Sequence, residues 1–270
     1  MNSNQIADLT FKLILEAETR LPRGVERALR AALRREKNSV AKLQLETILE
    51  NVRLAEKSLL PICQDTGFLE FFVDDAPQNF PVVEKGIRAG VHEATKKIPL
   101  RPNSVDALTR KPLTANEPLI HFVPSKKKVL TVFVKGAGSE NQTQLTMLPP
   151  TTPPKKIIEV VASFVKQRAA SACPPFFVGV GIGGTAEVAL GLAKKALLRE
   201  SASNTNKRLA LMERSLFARI NSLGIGVMGL GGSTTTLGVR IELAPTHTAC
   251  LPVAVALNCW ALRKASASLE

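Results

Sequence analysis

The sequence predicts an α+β fold, a helical N-terminal part followed by mixed strands and helices in one large domain. Three observations carry this. Residues 5–19 and 40–57 repeat apolar side chains every three or four positions, the period of an amphipathic helix. Short β-rich runs begin only after Pro61. The second half then mixes such runs with helical patterns, without the regular alternation of a doubly wound sheet.

The first 60 residues read as helices, with Ser39 as N-cap of the segment over 40–57. Val40, Leu43, Ile48, Val52 and Leu54 are its expected apolar stripe. Pro61 ends this part, residues 68–73 read as a strand and 81–97 as a helix. The loop LRPNSVDALTRKP follows. The runs 119–123 and 129–134 flank a polar connection at 124–128 and read as a hairpin, its lysines keeping the turn wet. LPPTTPP at 148–154 is the strongest candidate for an internal boundary, yet motifs on its two sides need each other, so one domain over 1–270 is expected. Residues 155–169 read as a helix, 176–182 as a strand, 185–199 and 204–222 as helices. Glycine-rich strands are expected at 225–230 and 235–243, and no fixed-period repeat is present.

With 45% apolar residues over 270 positions, the chain can bury a large core and is not disordered by composition. It has no apolar run of about 18 residues, which argues against a membrane span. Residues 1–23 carry Glu16 and Glu18 and lack the apolar core of a secretory signal, so a soluble, cytoplasmic protein is expected. The net charge is +13, concentrated at 20–42 and 126–128. Aromatics are 4% and tyrosine is absent, which disfavours nucleic-acid binding. A solvated helix face and a wet turn explain the lysines and arginines, and a positive field would also draw in dianions. The four cysteines, at 63, 173, 250 and 259, form no CxxC pair and so no zinc ribbon; by themselves they read as buried core residues.

Four segments combine reactive side chains with glycine or proline. PICQDTG (61–67) sets Cys63 and Asp65 in a tight turn between helix and strand. KGAGSEN (135–141) has glycines that let backbone N–H groups approach an anion. ACPP (172–175) precedes a strand and GVGIGGT, and PTH (245–247) precedes Cys250 and Cys259. The glycines of GVGIGGTAE match a dinucleotide fingerprint only by spacing, with no acidic residue ending a second strand, so close strand–helix packing is the reading. GLGGSTT lacks the lysine of a phosphate loop.

Taken in order, PICQDTG, KGAGSEN, ACPP with GVGIGGT, GIGVMGLGGSTTT and PTHTACLPVAVALNCWALR resemble the alpha subunit of the class I fumarase and tartrate dehydratase family, over residues 5–265. The resemblance implies a [4Fe–4S] cluster held by Cys63, Cys173 and Cys259, one iron being left open as a Lewis acid. Thiolates are soft donors suited to such a cluster. Cys250 falls at a position the family does not require. Asp65 matches a residue that moves a proton or holds the iron-bound water, and Arg101 a clamp on a substrate carboxylate. Gly138 matches a backbone N–H contact to substrate and His247 a histidine that hydrogen-bonds it; Arg110 and Lys135 are further candidates for a positive pocket.

The implied reaction is reversible hydration of a small dicarboxylic acid, fumarate to malate, with L-tartrate dehydration as the alternative. The family's beta-type domain supplies further arginines, a lysine and a threonine base, so the resemblance implies a beta-type partner, a hetero-oligomer, and little catalysis by this chain alone. After Arg110 the family commonly shows Lys-Asn-Thr-Gly-Asp-Asn where this chain has KPLTAN (111–116), which reads as a changed surface loop. Two rival readings are a non-catalytic basic binding protein on the same fold and a zinc site built from the same cysteines.

Overall fold

The computed structural model describes residues 1–200 and 203–270 and has the α+β composition expected. In chain order the helices are α1 (Ser3–Thr19), α2 (Arg23–Arg35), α3 (Ser39–Ser58), α4 (Phe80–Lys97), α5 (Ala137–Glu140), α6 (Pro154–Arg168), α7 (Ala186–Leu198) and α8 (Lys207–Asn221). The strands are β1 (Phe68–Asp75), β2 (Leu119–Pro124), β3 (Val129–Lys135), β4 (Gln144–Met147), β5 (Phe176–Ile182), β6 (Thr236–Leu243), β7 (Pro252–Asn258) and β8 (Arg263–Ser268). They form two compact units, Met1–Pro22 with Glu50–Ala137 and Leu262–Glu270, and Arg23–Leu49 with Gly138–Ala261. The proline-rich stretch at 148–154 lies inside the second.

The first unit has a sheet of order β2-β1-β3-β8. Leu69, Phe71 and Val73 alternate onto one face of β1 and pack with Ile6, Leu13 and Ile14 of α1 and Val83, Ile87 and Val91 of α4. Gly86 permits close helix contact, since a Cβ there would sit 2.6 Å from the Ile6 Cβ. Asn2 and Gln5 form a reciprocal capping box that starts α1. β2 and β3 do not form the expected hairpin. Central β1 separates them, running parallel to β2 and antiparallel to β3. A buried central strand needs partners on both edges, and the connection crosses its end, where Ser125 N–H donates to Asp75 C=O at 2.9 Å.

The second unit has a sheet of order β4-β7-β5-β6, with β5 parallel to β6 and antiparallel to β7. Strand β5 is buried throughout, as expected for a covered central strand. Gly179 and Gly181 face the backbone of α7 at Ala193 and Ala189, so these glycines serve packing. Helix α2 buries Val25, Leu29 and Ala32 and leaves Arg23, Arg27, Arg30, Arg34 and Arg35 in solvent, the expected basic face.

Three sequence expectations fail here. Asn38, not Ser39, caps α3, its Oδ1 accepting from Ala41 N–H at 3.0 Å. The buried stripe of α3 is Ala41, Leu45, Ile48, Val52 and Ala55, while Val40, Leu43 and Leu54 are about half exposed. Residues 225–230 form no strand: a 3-10 turn spans Val227–Gly229, flanked by Gly226 at φ +70° and Gly231 at φ +88°. Among the described residues no helix is long and apolar enough to cross a membrane.

Candidate functional site

In the first unit, the PICQDTG turn joins α3 to β1 and is held from three directions. Ile62 N–H donates to Glu18 C=O (2.8 Å), Asn51 Nδ2 donates to Ile62 C=O (2.8 Å), and Arg263 Nη2 donates to Asp65 C=O (2.7 Å). Backbone on either side of half-buried Cys63 is therefore fixed by groups that need it as a partner. The Asp65 carboxylate accepts from Gly67 N–H (2.9 Å) and from Ala137 N–H (2.8 Å), which ties this turn to the KGAGSEN segment. Gly67, at φ +62°, is required there, because a Cβ would lie 2.7 Å from Lys135 C=O. Beneath the turn, Arg263 and Glu18 form an ion pair at 2.6 Å with 1% and 0% exposure. Burial pushes the Glu18 carboxyl up to about 7, against the opposing pull of Arg263.

Arg101 is exposed, but its backbone is pinned to the same turn. Its N–H donates to Thr66 Oγ1 at 3.0 Å and its C=O accepts from Asn116 Nδ2 at 3.0 Å. Asn103 Nδ2 donates to Thr66 Oγ1 and Gly67 C=O, and buried Asn116 accepts from Asn103 N–H (2.9 Å) and Ser104 N–H (3.3 Å). The altered loop thus keeps, at Asn116, the side chain that locks the guanidinium's root. Arg110 is exposed on a turn at φ +59°, whereas the Lys135 side chain is fully buried.

In the second unit, Cys173 is exposed at φ +50°, between a 3-10 turn and β5. Pro174 C=O accepts from Met228 N–H at 2.7 Å, so the glycine-rich turn at 226–232 supports this segment. Cys259 is half-buried just past β7, in a turn held by Asn258, whose Nδ2 donates to Cys259 C=O (3.0 Å) and Ala261 C=O (3.3 Å). The antiparallel register sets Phe177 opposite Asn258, so Cys173 and Cys259 lie beyond the same end of the β5–β7 pair. Cys250 precedes β7 and lies beyond the other end.

His247 shares that other end. Thr246 Oγ1 donates to Gly184 C=O at 2.9 Å, and Gly184 N–H donates to Pro245 C=O at 3.0 Å, joining the GVGIGGT and PTH segments. The Nδ1 of His247 accepts from Ala249 N–H at 3.1 Å, so the neutral ring carries its proton on Nε2, and the ring is exposed. Gly138 lies in the first turn of α5, where backbone N–H groups have no helical acceptor.

Cys63, Cys173 and Cys259 are three soft thiol donors on turns rather than in core strands, a donor set that suits an iron–sulfur cluster. Among the described residues no three His, Cys, Asp or Glu side chains converge on a single metal ion. The profile of the fumarate hydratase (Fumerase) family matches residues 7–268. The chain belongs to this family. It is 43% identical to a Methanocaldococcus jannaschii protein provisionally named L(+)-tartrate dehydratase subunit alpha, covering 97% of this chain and 96% of that one. It is 32% identical to the L(+)-tartrate dehydratase subunit alpha of Escherichia coli strain K12, covering 97% of this chain and 89% of that subunit. A Geobacillus stearothermophilus protein provisionally named fumarate hydratase class I is 35% identical, and this chain spans 54% of its length. Membership in the fumarate hydratase family makes the chain a hydro-lyase component.

Sequence reasoning singled out Asp65, Arg101 and His247 but missed Glu18, Asn116 and Arg263, which fix the turns around Asp65 and Arg101, and Asn258, which fixes the turn at Cys259. A buried asparagine in an irregular loop leaves no periodic trace. The one available signal was that Asn116 stands where the family pattern also ends in asparagine.

Proposed function

We propose that this chain is the alpha-type subunit of an iron–sulfur hydro-lyase that reversibly hydrates fumarate to malate. The observation that carries the reading is the Thr66–Arg101–Asn116 tie, which roots an exposed guanidinium beside the turn bearing Cys63 and Asp65. Cys63, Cys173 and Cys259 would hold a [4Fe–4S] cluster, which when bound supplies a Lewis-acid iron for the substrate hydroxyl. Arg101 offers a planar fork to one substrate carboxylate. Asp65 uses one lone pair of each oxygen on backbone N–H groups and keeps the others to accept a proton or orient water. His247 presents Nε2–H as a donor to substrate, and Gly138 a backbone N–H. A beta-type subunit would complete the hetero-oligomer. L-tartrate dehydration is the second reading, favoured by the names of the two alpha-subunit relatives.

The test is iron and acid-labile sulfide content of protein purified without oxygen, for the wild type and four Cys→Ser variants. Substitution of Cys63, Cys173 or Cys259 should each remove the cluster, and Cys250→Ser should keep it. A cluster that survives Cys259→Ser and is lost with Cys250→Ser overturns the ligand set.

A further inference from the structure

Two features of the second unit have no role in the reaction proposed above, and they meet. One is the GLGGSTT turn; the other is Glu36, at the corner between α2 and α3. Glu36 is buried at 7% exposure, and among the described residues no lysine or arginine pairs with it. A carboxylate so placed must be held by hydrogen-bond donors. Its Oε1 accepts from Lys37 N–H (3.0 Å) and Asn38 N–H (3.1 Å), which belong to its own corner. Its Oε2 accepts from the N–H and the hydroxyl of Ser233, both at 2.9 Å, 197 residues further along the chain. Gly232 admits it there: the backbone is at φ +109°, and a Cβ would stand 2.9 Å from that oxygen and 2.8 Å from the Ala41 Cβ. Burial raises the Glu36 carboxyl, yet these donors hold it below the usual carboxylate range.

We propose that Glu36 is a positioning residue for Cys173, the clamp that holds the glycine-rich turn against the backbone of this cluster ligand. The inference rests on the reading that Cys173 holds iron. Cys173 is exposed and stands at φ +50°; Met228, whose N–H donates to Pro174 C=O at 2.7 Å, stands at φ +53°. Two non-glycine residues in the left-handed region, joined through one hydrogen bond, persist only where their surroundings over-determine them. Within the turn, Val227 N–H donates to Gly231 C=O (3.1 Å), Leu230 N–H to Val227 C=O (2.9 Å) and Gly231 N–H to Ile225 C=O (2.9 Å). Those bonds fix the shape of the turn but not its place. Its place is set just beyond it, where Asn221 Oδ1 accepts from Thr235 N–H (2.8 Å) and Thr236 N–H (2.9 Å) at the root of β6, and Glu36 grips Ser233. Metal–ligand distances hold to within about 0.2 Å, so slack in this turn reaches the thiolate.

The test is the rate of iron loss. Cluster-loaded chain, purified without oxygen, is mixed with EDTA, and iron release is followed beside the melting temperature of each variant. Glu36→Gln offers one acceptor oxygen where the carboxylate has two, so its NH2 group faces donors either at Ser233 or at the corner. Release should become several-fold faster than in the wild type. Ser233→Ala removes the hydroxyl and keeps the N–H, and should shift release the same way by less; should Glu36→Gln not fold, it decides by the same criterion. Leu216→Ala trims the core of this unit without breaking any bond of the turn, so it should lower the melting temperature and leave release unchanged. Wild-type release from the Glu36 and Ser233 variants overturns the proposal. So does equally fast release from Leu216→Ala, which would reduce Glu36 to a residue of general stability. A cluster retained in Cys173→Ser instead sinks the ligand assignment beneath it.

Discussion

Asn116 does with one side chain what a strand ladder does with several backbone groups. It donates to Arg101 C=O and accepts from two successive N–H groups, so the backbone that carries the guanidinium has one register. Asn116→Ala leaves three part-buried backbone groups without this partner and frees the root of Arg101. KM for the dicarboxylate should rise several-fold, with iron content unchanged. Arg101→Lys, which keeps the charge and loses the planar fork, should weaken binding by about 1.5–3 kcal/mol. The two losses should combine to less than their sum if Asn116 acts through Arg101. An unchanged KM with a lowered melting temperature would leave Asn116 a purely structural residue. Cys63, Asp65 and Arg101 were legible in the sequence because each sits in a short motif. Asn116 was not, because its meaning depends on which backbone groups face it after folding.

The elements that declared themselves were those with a strong period: α4, α6, α7, α8 and strands β1, β5 and β6 lie where the sequence predicts them. Strands β4, β7 and β8 were missed. The last two occupy a stretch read for its histidine and cysteines, and four-residue β4 is too short to show alternation. The hairpin reading failed because adjacency in sequence does not decide pairing; β1 offered a more buried edge to both β2 and β3. The stripe on α3 failed because alanines face inward there, so residue size misled the count.

One contact between elements also sets a pH dependence. Glu18, in the last turn of α1, pairs with Arg263 at the start of β8, and its folded-state carboxyl is raised from 4.5 to about 7. Between those values the folded chain holds a proton that the unfolded chain has released. Stability therefore falls as pH rises across this window, by roughly 3 kcal/mol at 1.36 kcal/mol per pKa unit. Glu18→Gln, a neutral isostere of the protonated carboxyl, should leave stability at pH 5 near that of the wild type and flatten that slope. Urea midpoints at pH 5 and pH 7 read both effects; an unchanged slope in the variant removes Glu18 as its source.

At the scale of the whole molecule, a substrate with two carboxylates sets the requirement. It needs positive charge at both ends and a base at the far carbon, all within hydrogen-bond reach. The site proposed for this chain offers one rooted guanidinium, Arg101, with Asp65 and His247. The net charge of +13 raises the local concentration of a dianion but positions nothing. The relatives divide in the same way. Two that this chain covers over 96% and 89% of their length are named as alpha subunits, whereas the relative named for fumarate hydratase is spanned over 54%. A single long chain in one case and two subunits in the other would deliver the same set of groups. The cluster-loaded chain alone should therefore hydrate fumarate and dehydrate L-tartrate at a small fraction of the rate reached with a beta-type partner. Anaerobic assays of both substrates, with and without that partner, decide the point and also choose between the two reactions. Full turnover by this chain alone would mean that its own residues supply the second carboxylate contact and the base, and the two-subunit reading would fall.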